Sequence, residues 1–582
     1  MRIIKVKVQN FRGIKSADLI LSNHTVLVGD NNIGKSTILE ALDLVLGPER
    51  LYKFPVIDEH DFYVGNYSGN GADQIQINIE VLLIDLNEEQ LRKFRNNIEY
   101  YNKETHTLIE GPPAEETDQP GVYPVLRVAF KGFYDEGDDD FKGETYFCHP
   151  EAGEGEKHSS FTKTDKRLCG YLYLRTIRTG SRALTLERGS LLDIILHLSE
   201  IRPKMWEDVL SQLRIVSVAD DPTLGISDIL SSVQKSIRAF VPIEWADSPR
   251  LRVTSLTREE LRRVLTVFIG TGEVDDQGIE YGAPYQHQGT GTINVLVLTL
   301  LVMIAELKQN VIFAMEECET AIPPYAQKRI VNNVMSIASQ SIFTSHSPYV
   351  LEEFTPENIL VVKREKGVFT GTPASYPPTI KPKKYKEEFK KRFCEALLSR
   401  RVLITEGRTE FDAFPSAARK LHEIDSSRYS TLEGLGIAVI NAETDSQIEP
   451  LGKFFKDLGK VVYATFDKQE PTVKAAIDLV VHHSFEAPET SFEKVILNGT
   501  ADTALRRFAG ELVSSKEWPS HLHDKTPTSE MPLEELKGAL LEYFNWSKGS
   551  GDAGHLLSQC TEHELPVFVK DTLLAINATI DS

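Results

Sequence analysis

The sequence predicts an α/β protein with two separate sheets, because apolar strands alternate with helical patterns around two glycine-containing loops. The first loop, residues 29–36, fits the pattern G-x-x-x-x-G-K-[ST] and lies between an apolar strand at 25–28 and a helical pattern at 37–46. The second glycine-containing segment, residues 401–410, consists of an apolar strand, a turn with a glycine and the start of a helix. At 582 residues the chain exceeds what one hydrophobic core usually supports, so two or three domains are expected.

Composition narrows the class of protein. No apolar run approaches the roughly 20 residues of a membrane span, so we expect no membrane partner. The first residues alternate like a strand and lack the apolar block of a signal peptide. The five scattered cysteines predict neither a disulfide framework nor a zinc site and favour a cytoplasmic location. The formal charge of −20 argues against a general nucleic-acid coat, although a local basic channel is compatible with it.

The loop at 29–36 predicts a site for ATP. Glycines let the backbone close around phosphate, and the N–H groups at the start of a helix face the anion. Lys35 would neutralise the outer phosphates, and the hydroxyl of Ser36 would bind Mg²⁺. We expect ATP contacts from the loop and the first helical turn, namely Asn31, Asn32, Gly34, Lys35, Ser36 and Thr37.

A second cluster favours ATP hydrolysis. An apolar strand at 311–315 ends in Glu316 and Glu317. In such a pair the first carboxylate binds Mg²⁺. The second, that of Glu317, is the catalytic group that positions the attacking water. Gly289 and Gly291 open a long apolar helix and suit a loop that touches the phosphate of a partner subunit.

A histidine completes this set. His346 follows a buried strand at 341–344 and could sense the γ-phosphate, although such a histidine can also be structural. The order of the motifs is that of ABC-type ATPases, and residues 10–14 with the phosphate loop resemble the heads of the RecF and SMC group. That resemblance implies hydrolytic sites shared between two heads, and therefore a homodimer.

Three stretches have two interpretations each. The polar cluster at 58–63 is either a solvated connection or a contact near the nucleotide. Helical spacing between about 186 and 265 indicates an inserted subdomain, either plain core or a dimerisation element. Arginines at the start of this region have either a surface role or a phosphate or partner contact: Arg175, Arg178 and Arg182.

The second half begins with a basic run and continues as a small α/β domain. The run, residues 381–392, is either a solvated face or a DNA backbone contact. Glu406 ends the strand 401–405, and Asp467 ends another strand. Because ligands of parallel sheets bind at the carboxyl ends of the strands, these acids and Glu410 are candidate metal ligands. Carboxylates suit Mg²⁺, with Mn²⁺ as an alternative ion. The pattern is similar to the start of a Toprim domain.

An ABC-type head followed by Toprim resembles the OLD (overcoming lysogenization defect) family, which pairs an ATPase with a DNA nuclease. The shared motifs are the phosphate loop and residues 61–63, 190–193, 288–292, 316–317, 344–348 and 406–410. The resemblance implies DNA as partner, a homodimer or higher homo-oligomer through the ATPase part, and phage defence or DNA processing with a possible accessory defence protein. It also implies a catalytic lysine, which Lys548 matches best; a plain loop lysine is the alternative.

Two departures from the family pattern matter. Cys318 stands where the family has proline, which changes loop stiffness more than chemistry. Gln469 stands where the family usually has the second acid of Asp-x-Asp, so one charged metal ligand is missing. Three further acids are candidate extra ligands that the sequence does not rank: Glu486, Glu489 and Glu493.

We therefore expect an ATP-regulated, metal-dependent DNA endonuclease with Glu406, Glu410, Asp467 and Lys548 in the nuclease site. A non-cleaving RecF- or SMC-like DNA clamp with a degenerate Toprim domain is the alternative. A topoisomerase or primase is disfavoured, because the chain has no primase zinc motif and little room for a nucleophilic-tyrosine domain. The expected parts are ATPase, 1–170; inserted helical subdomain, 171–270; ATPase, 271–375; basic linker helix, 376–395; and Toprim nuclease domain, 396–582.

Overall fold

The computed structural model describes most of the chain. The described residues are 1–48, 50–52, 55–68, 75–109, 121–151, 157–174, 184–186, 190–199, 201–215, 226–238, 257–307, 311–320, 322–375 and 390–581. Two predicted features therefore lie outside them: the group of arginines at 175, 178 and 182, and the part of the basic linker at 376–389. The chain divides into two compact units, residues 1–24 with 36–344 and residues 25–35 with 345–582.

The described residues contain runs of strands and runs of helices. The strands are β1 (Arg2–Phe11), β2 (Ile14–Ile20), β3 (His24–Val28), β4 (Ile77–Ile84), β5 (Ile98–Asn102), β6 (Thr107–Ile109), β7 (Val122–Asp135), β8 (Asp140–Phe147), β9 (Tyr171–Leu174), β10 (Phe268–Val274), β11 (Glu280–Pro284), β12 (Ile312–Glu316), β13 (Gln340–Thr344), β14 (Ile359–Glu365), β15 (Val368–Pro373), β16 (Arg401–Thr405), β17 (Ile437–Asn441), β18 (Val461–Phe466) and β19 (His483–Glu486). The α-helices are Lys35–Leu46, Glu88–Lys93, Lys163–Cys169, Leu191–Leu198, Arg202–Ile215, Ile226–Arg238, Arg258–Val264, Thr290–Leu307, Pro324–Ile337, Pro348–Leu351, Lys390–Leu398, Arg408–Ile424, Ile448–Asp457, Pro471–Val480, Phe492–Gly499, Asp502–Ser514, Leu533–Trp546, Asp552–Ser558 and Val567–Asp581.

The first unit contains an antiparallel layer and a parallel layer. The antiparallel strands follow the order β6-β5-β7-β4-β1-β2, with β8 paired to β7. β4 runs from Ile77 to Ile84. It pairs with β1 as far as Ile84, which lies opposite Arg2, with a register shift between Ile3 and Lys5. In the parallel layer, β12 lies between β13 and β9.

The helical insertion predicted between 186 and 265 contains four helices within the described residues. They are Leu191–Leu198, Arg202–Ile215, Ile226–Arg238 and Arg258–Val264. A small apolar cluster around the buried Trp206 draws residues from three of these helices, Leu191–Leu198, Arg202–Ile215 and Arg258–Val264. Beside it, Arg262 forms an ion pair with Asp193 at 3.5 Å, and both side chains are buried. The role of this insertion in dimerisation stays a prediction.

The second unit contains the phosphate loop and the C-terminal half of the chain. β3 pairs in parallel with β14, which pairs with β15. A separate four-stranded parallel sheet has the order β17-β16-β18-β19. Apolar residues of this sheet and of the C-terminal helices form one buried core. The strands therefore all end at one edge of the sheet, where polar side chains can gather.

Close helix packing places the C-terminal segment against this sheet. A Cβ on Gly554 would lie 2.6 Å from Ser416 Oγ and 2.7 Å from the carbonyl oxygen of Asp412. Only glycine allows the helix Asp552–Ser558 to approach the helix Arg408–Ile424 so closely. The loop before Asp552, which carries Lys548, is thereby held near the first turn of that longer helix.

No helix among the described residues is long and apolar enough to cross a membrane. The five cysteines are all buried as thiols.

Candidate functional site

The phosphate loop is shaped by two backbone requirements. A Cβ on Gly29 would lie 2.6 Å from the carbonyl oxygen of Val362 on β14, so the loop leaves its strand where only glycine fits. Gly34 has a φ of +114° and Asn32 a φ of +62°, values that glycine and asparagine tolerate best. Asn31 and Asn32 are exposed. The local sequence therefore produces an open loop directly before the helix Lys35–Leu46.

Lys35 is held by its own loop. Its side chain is only 7% exposed, and Nζ donates to the carbonyl oxygens of Gly29 and Asp30, both at 2.9 Å. Ser36 and Thr37 follow in the first helical turn, which carries no acidic residue. The positive end of the helix is therefore uncompensated by nearby carboxylates, which suits an anionic ligand.

The loop also contacts the start of the second α/β domain. Arg400, just before β16, forms an ion pair with Asp30 at 2.6 Å. Nearby, Lys460 is buried and donates to the carbonyl oxygens of Leu397 and Ser399 at 2.7 and 2.6 Å. Burial lowers the pKa of Lys460 to about 8, with the charge of Asp30 opposing that shift. The sequence patterns did not indicate these contacts, because Arg400 and Asp30 are 370 positions apart and Lys460 is 63 and 61 positions from its partners.

Glu316 lies buried at the end of β12, where it accepts a hydrogen bond from the hydroxyl of Tyr173 on β9. Burial, together with the charge of Glu316, raises the pKa of this tyrosine, so it stays a donor. Glu317 has a φ of +42°, and its N–H donates to the carbonyl oxygen of Thr344 at 2.9 Å. The left-handed backbone turns the two successive acids away from the strand direction. Sequence analysis missed Tyr173, which has no motif of its own.

The remaining predicted ATP-site residues lie at element ends. Gly289 is exposed and directly precedes the helix Thr290–Leu307, whose first turn contains Gly291. His346 is half-buried in the turn after β13. In that turn, the N–H of Ser347 donates to the side chain of Ser345 at 3.0 Å. Their combination with Lys35 and Glu316 in one ATP site stays a prediction.

The polar cluster at 58–63 has a structural role. Asp61 is buried and accepts a hydrogen bond from Arg12 Nε at 2.7 Å, and its carbonyl oxygen accepts one from the Arg12 N–H, also at 2.7 Å. Arg12 also forms an ion pair with Glu40 at 2.5 Å. Arg12 therefore ties this cluster to the helix that follows the phosphate loop, so Asp61 is not a solvated residue.

The acids of the second α/β domain meet at the carboxyl edge of its sheet. Glu406 follows β16 and Asp467 follows β18, and these two strands are neighbours. The backbone N–H of Asp467 donates to Glu406 Oε2 at 2.9 Å. The side-chain amide of Gln469 donates to the same oxygen at 3.1 Å. Gln469, which occupies the place of the missing acid, therefore presents its N–H group toward Glu406 here.

Glu410 lies beneath this pair in the first turn of the helix Arg408–Ile424. It is 3% exposed, and its Oε2 lies 2.8 Å from where a Cβ of Gly407 would be. Burial raises the pKa of Glu410 to about 8, and the charges of Asp467 and Glu493 add to the effect. Burial likewise raises the pKa of Asp467 to about 7, and the charge of Glu406 raises it further in the same direction. The acids therefore disfavour one another's ionised forms.

One oxygen of this acid cluster has no partner. Asp467 Oδ1 is buried and accepts no hydrogen bond from any described residue. Within the described ranges, no three His, Cys, Asp or Glu side chains already stand in positions that would hold a metal ion together. The donor set nevertheless fits a divalent cation, because it consists of hard carboxylate oxygens whose mutual repulsion a cation would remove. Small side-chain rotations would be needed to enclose the ion.

The structure ranks the three additional acids. Glu493 is buried and accepts hydrogen bonds from Thr409 Oγ1 at 2.8 Å and Ser491 Oγ at 2.6 Å. Burial alone would raise its pKa, but these hydrogen bonds and the charge of Lys548 outweigh it, and the pKa is lowered. Glu493 therefore stays ionised beside the cluster.

Glu486 and Glu489 lie at its periphery. Glu486 forms an ion pair with Lys474 at 2.7 Å, and Glu489 accepts a hydrogen bond from Asn498 at 3.4 Å. Glu493 is thus the additional acid that belongs to the site.

Lys548 reaches the same place from the C-terminal helices. Its Nζ lies 3.2 Å from Glu493 Oε1, while 55% of its side chain is exposed. The following loop uses Gly549 and Gly551, whose φ values of +91° and +88° suit glycine. The structure therefore brings Glu406, Glu410, Asp467 and Lys548 together, as expected for one site.

Comparisons with known proteins agree with this architecture. Residues 1–168 and 208–351 match the AAA ATPase domain family, and residues 397–468 match the Toprim domain of overcoming lysogenization defect-like proteins. The Escherichia coli (strain K12) protein YbjD is 39% identical over 74 residues, a match that spans 12% of this chain and 13% of that relative.

Two SMC head domains are among the solved structures that match part of the chain at low similarity. The head from Thermotoga maritima is 12% identical, covers 64% of this chain and 100% of its own, and has a TM-score of 0.28. The Pyrococcus furiosus head, bound to the C-terminal domain of ScpA, is 13% identical, covers 64% and 96%, and has a TM-score of 0.34. The family matches confirm the predicted α/β fold class of a P-loop ATPase followed by Toprim. The chain therefore belongs to the AAA ATPase domain family, whose model matches more than half of it, and it carries an overcoming lysogenization defect-like Toprim domain in its second half, which is the ATPase–Toprim fusion expected of an OLD family protein.

Proposed function

We propose that this protein is an ATP-regulated, metal-dependent DNA endonuclease that acts in phage defence or DNA processing. The observation that carries the proposal is the buried acid cluster with one unpartnered oxygen, Asp467 Oδ1, beside a half-exposed lysine. Such a cluster is costly for a folded protein unless a cation joins it. A lysine beside it would serve a substrate that carries negative charge.

The residues present assign the roles. Glu406, Glu410 and Asp467 would hold Mg²⁺ or Mn²⁺, which supplies an activated water and stabilises the leaving oxygen of a phosphodiester. Lys548 would stabilise the negative charge that develops on the phosphate. Glu493, fixed by Thr409 and Ser491, keeps the lysine ammonium at the edge of the cluster.

ATP would act through the other site. Lys35 would exchange its two backbone carbonyl partners for phosphate oxygens, and Ser36 and Glu316 would hold Mg²⁺. Glu317 would orient the attacking water, and His346 would contact the γ-phosphate. We infer that Gly289 and Gly291 touch the nucleotide of a partner subunit, so that ATP binding favours a homodimer.

One observation favours the alternative function, a non-cleaving ATP-dependent DNA clamp. The amide N–H group of Gln469 points at Glu406, where a second acid would offer a metal ligand. An amide that donates in this way contributes no charge and competes with a cation for the Glu406 oxygen. A single assay separates the two functions.

The test is cleavage of supercoiled plasmid by the full chain with Mg²⁺ or Mn²⁺, with and without ATP. We expect nicked or linear product from the wild type and none from Glu406→Gln. Glu433→Gln is the matched control, because Glu433 is exposed and paired with Arg419 away from the cluster. Absence of cutting by the wild type in every condition would defeat the endonuclease proposal and leave the clamp.

A further inference from the structure

Two arginines from different helices share one aromatic ring beside the acid cluster. The guanidinium carbons of Arg392 and Arg408 both lie 4.8 Å from the ring centroid of Phe411. Arg392 belongs to the helix Lys390–Leu398, and Arg408 is the first residue of the helix Arg408–Ile424. The two like charges are therefore separated by no more than twice that distance. Phe411 itself is 6% exposed, so it serves as a buried platform.

The surroundings leave both charges accessible. Arg408 is 47% exposed and pairs with Asp412 at 3.1 Å, one turn along its own helix. Arg392 is 50% exposed and pairs with Glu395 at 3.3 Å, also within its own helix. Ion pairs that are this exposed contribute little to stability, so they do not explain why two guanidinium groups converge. An anion placed between them would offset their repulsion.

Arg408 also connects this pair to the acid cluster. It stands between Glu406 and Glu410 in sequence, and its Cγ lies 3.6 Å from where a Cβ of Gly549 would be. Lys548, next to that glycine, contacts Glu493 in the cluster. We name the three cations, Arg392, Arg408 and Lys548, the cationic rim. The rim therefore extends from the acid cluster to the exposed surface.

We propose that Arg392 and Arg408 bind backbone phosphates of the DNA and so seat the strand with one phosphodiester at the acid cluster. This inference rests on the proposed function, since it names the residues that hold its substrate. Guanidinium groups suit the role, because each offers several N–H donors to phosphate oxygens. Stacking on Phe411 keeps both groups oriented before the strand arrives, which lowers the entropy lost on binding.

The cationic rim recognises the charge of the phosphates and not the base sequence. Phosphate contacts fix the position of a protein on DNA and carry no sequence information. The net charge of −20 makes such a local site the more necessary, since the rest of the chain repels DNA on average. Binding through the rim should therefore weaken with salt and be similar for unrelated sequences.

The test is the salt dependence of duplex binding by the full chain without divalent cations, measured by fluorescence anisotropy on a labelled duplex. We expect Arg392→Ala and Arg408→Ala each to weaken binding about threefold to tenfold. Each should also make the negative slope of log K against log salt less steep by about 0.9. Arg392→Lys and Arg408→Lys keep the charge and should keep the slope. Arg419→Ala is the matched control, because Arg419 is an exposed arginine on the same helix as Arg408.

The outcomes separate this inference from the proposed function. A slope that stays at the wild-type value in both alanine variants overturns the phosphate role, even if the plasmid is cut. If the slope is less steep in the alanine variants but the wild type never cuts plasmid, the phosphate role of the rim is supported and the endonuclease proposal is contradicted. Equal losses in Arg419→Ala would show a general charge effect and would also overturn the inference.

Discussion

In the phosphate loop the central charged side chain is already paired, whereas in the acid cluster one carboxyl oxygen has no hydrogen-bond partner among the described residues. Lys35 Nζ donates to two carbonyl oxygens of its own loop. Asp467 Oδ1, in contrast, is buried without any hydrogen-bond donor among the described residues. The loop therefore has a stable form without ligand, while the acid cluster carries an electrostatic cost that a cation would remove.

This difference follows from how each site is built. A phosphate loop binds anions through backbone N–H groups and a helix end, which exist as soon as the local chain folds. A carboxylate site depends on several side chains of like charge that tertiary packing forces together. The first site should thus be insensitive to metal when nucleotide is absent, and the second should respond strongly.

The largest expected effect is on ATP hydrolysis, which should depend on the phosphate loop and not on the acid cluster. Lys35→Ala removes the cation that neutralises the outer phosphates, so ATP hydrolysis should fall by at least about 100-fold. Glu406→Gln should leave ATP hydrolysis within about twofold of the wild type. Phosphate release by the two variants measures both effects. Loss of hydrolysis in Glu406→Gln, with unchanged folding by circular dichroism, would contradict the separation.

The next prediction concerns metal and stability. In the absence of nucleotide, Mg²⁺ at about 100 times its Kd should stabilise the protein by about 2.7 kcal/mol, because it binds only the folded acid cluster. Thermal unfolding with EDTA and with millimolar Mg²⁺ measures the shift. Asp467→Asn should abolish the response and raise the melting temperature in EDTA, since one repelling charge is gone. A variant that still responds fully to Mg²⁺ would place the ion elsewhere.

The next prediction concerns a buried lysine in the ATPase part. Lys166 is 2% exposed and donates to the carbonyl oxygen of Leu44 at 3.2 Å, and burial lowers its pKa to about 7. The unfolded chain binds this proton up to about pH 10.4, so folding stability should rise between pH 7 and 10 by up to about 1.4 kcal/mol per unit. Below pH 7 both states bind the proton, so the slope disappears while the cost of burying the charged lysine stays constant.

Urea unfolding at several pH values tests this slope. Lys166→Met should flatten it, whereas Lys163→Met, on the same helix but only partly buried, should not. If the wild type and Lys166→Met keep parallel curves from pH 7 to 10, the buried lysine is not the source of the pH dependence.

The smallest expected effect concerns Tyr173. Tyr173→Phe removes the hydroxyl that donates to Glu316, and a hydrogen bond to a charged group contributes roughly 1.5 kcal/mol, so ATP hydrolysis should fall about tenfold or less. Tyr171→Phe is the control, because Tyr171 lies on the same strand but donates to the carbonyl oxygen of Leu39 at 3.1 Å. Equal losses in the two variants would point to packing of β9 and not to the Glu316 contact.

Much of this protein could be predicted from local sequence. The strand predicted to end at Asp467 is β18 (Val461–Phe466), and the helix predicted after the phosphate loop begins at Lys35. The acids Glu406 and Asp467 stand at the carboxyl ends of adjacent parallel strands, as the alternation of strands and helices predicts. These features depend on neighbours in the chain, so periodicity and spacing are sufficient to locate them.

The rest depended on packing between distant segments. Glu493 was one of three unranked acids until the structure showed its contacts with Thr409 and Lys548. Tyr173 carries no motif, and Arg408 and Arg392 are 16 positions apart on separate helices. The sequence by itself determined which chemical groups are available and which strands and loops present them. Only the tertiary structure decided which groups share a desolvated space, because burial and charge repulsion arise when separate helices and strands close on one another.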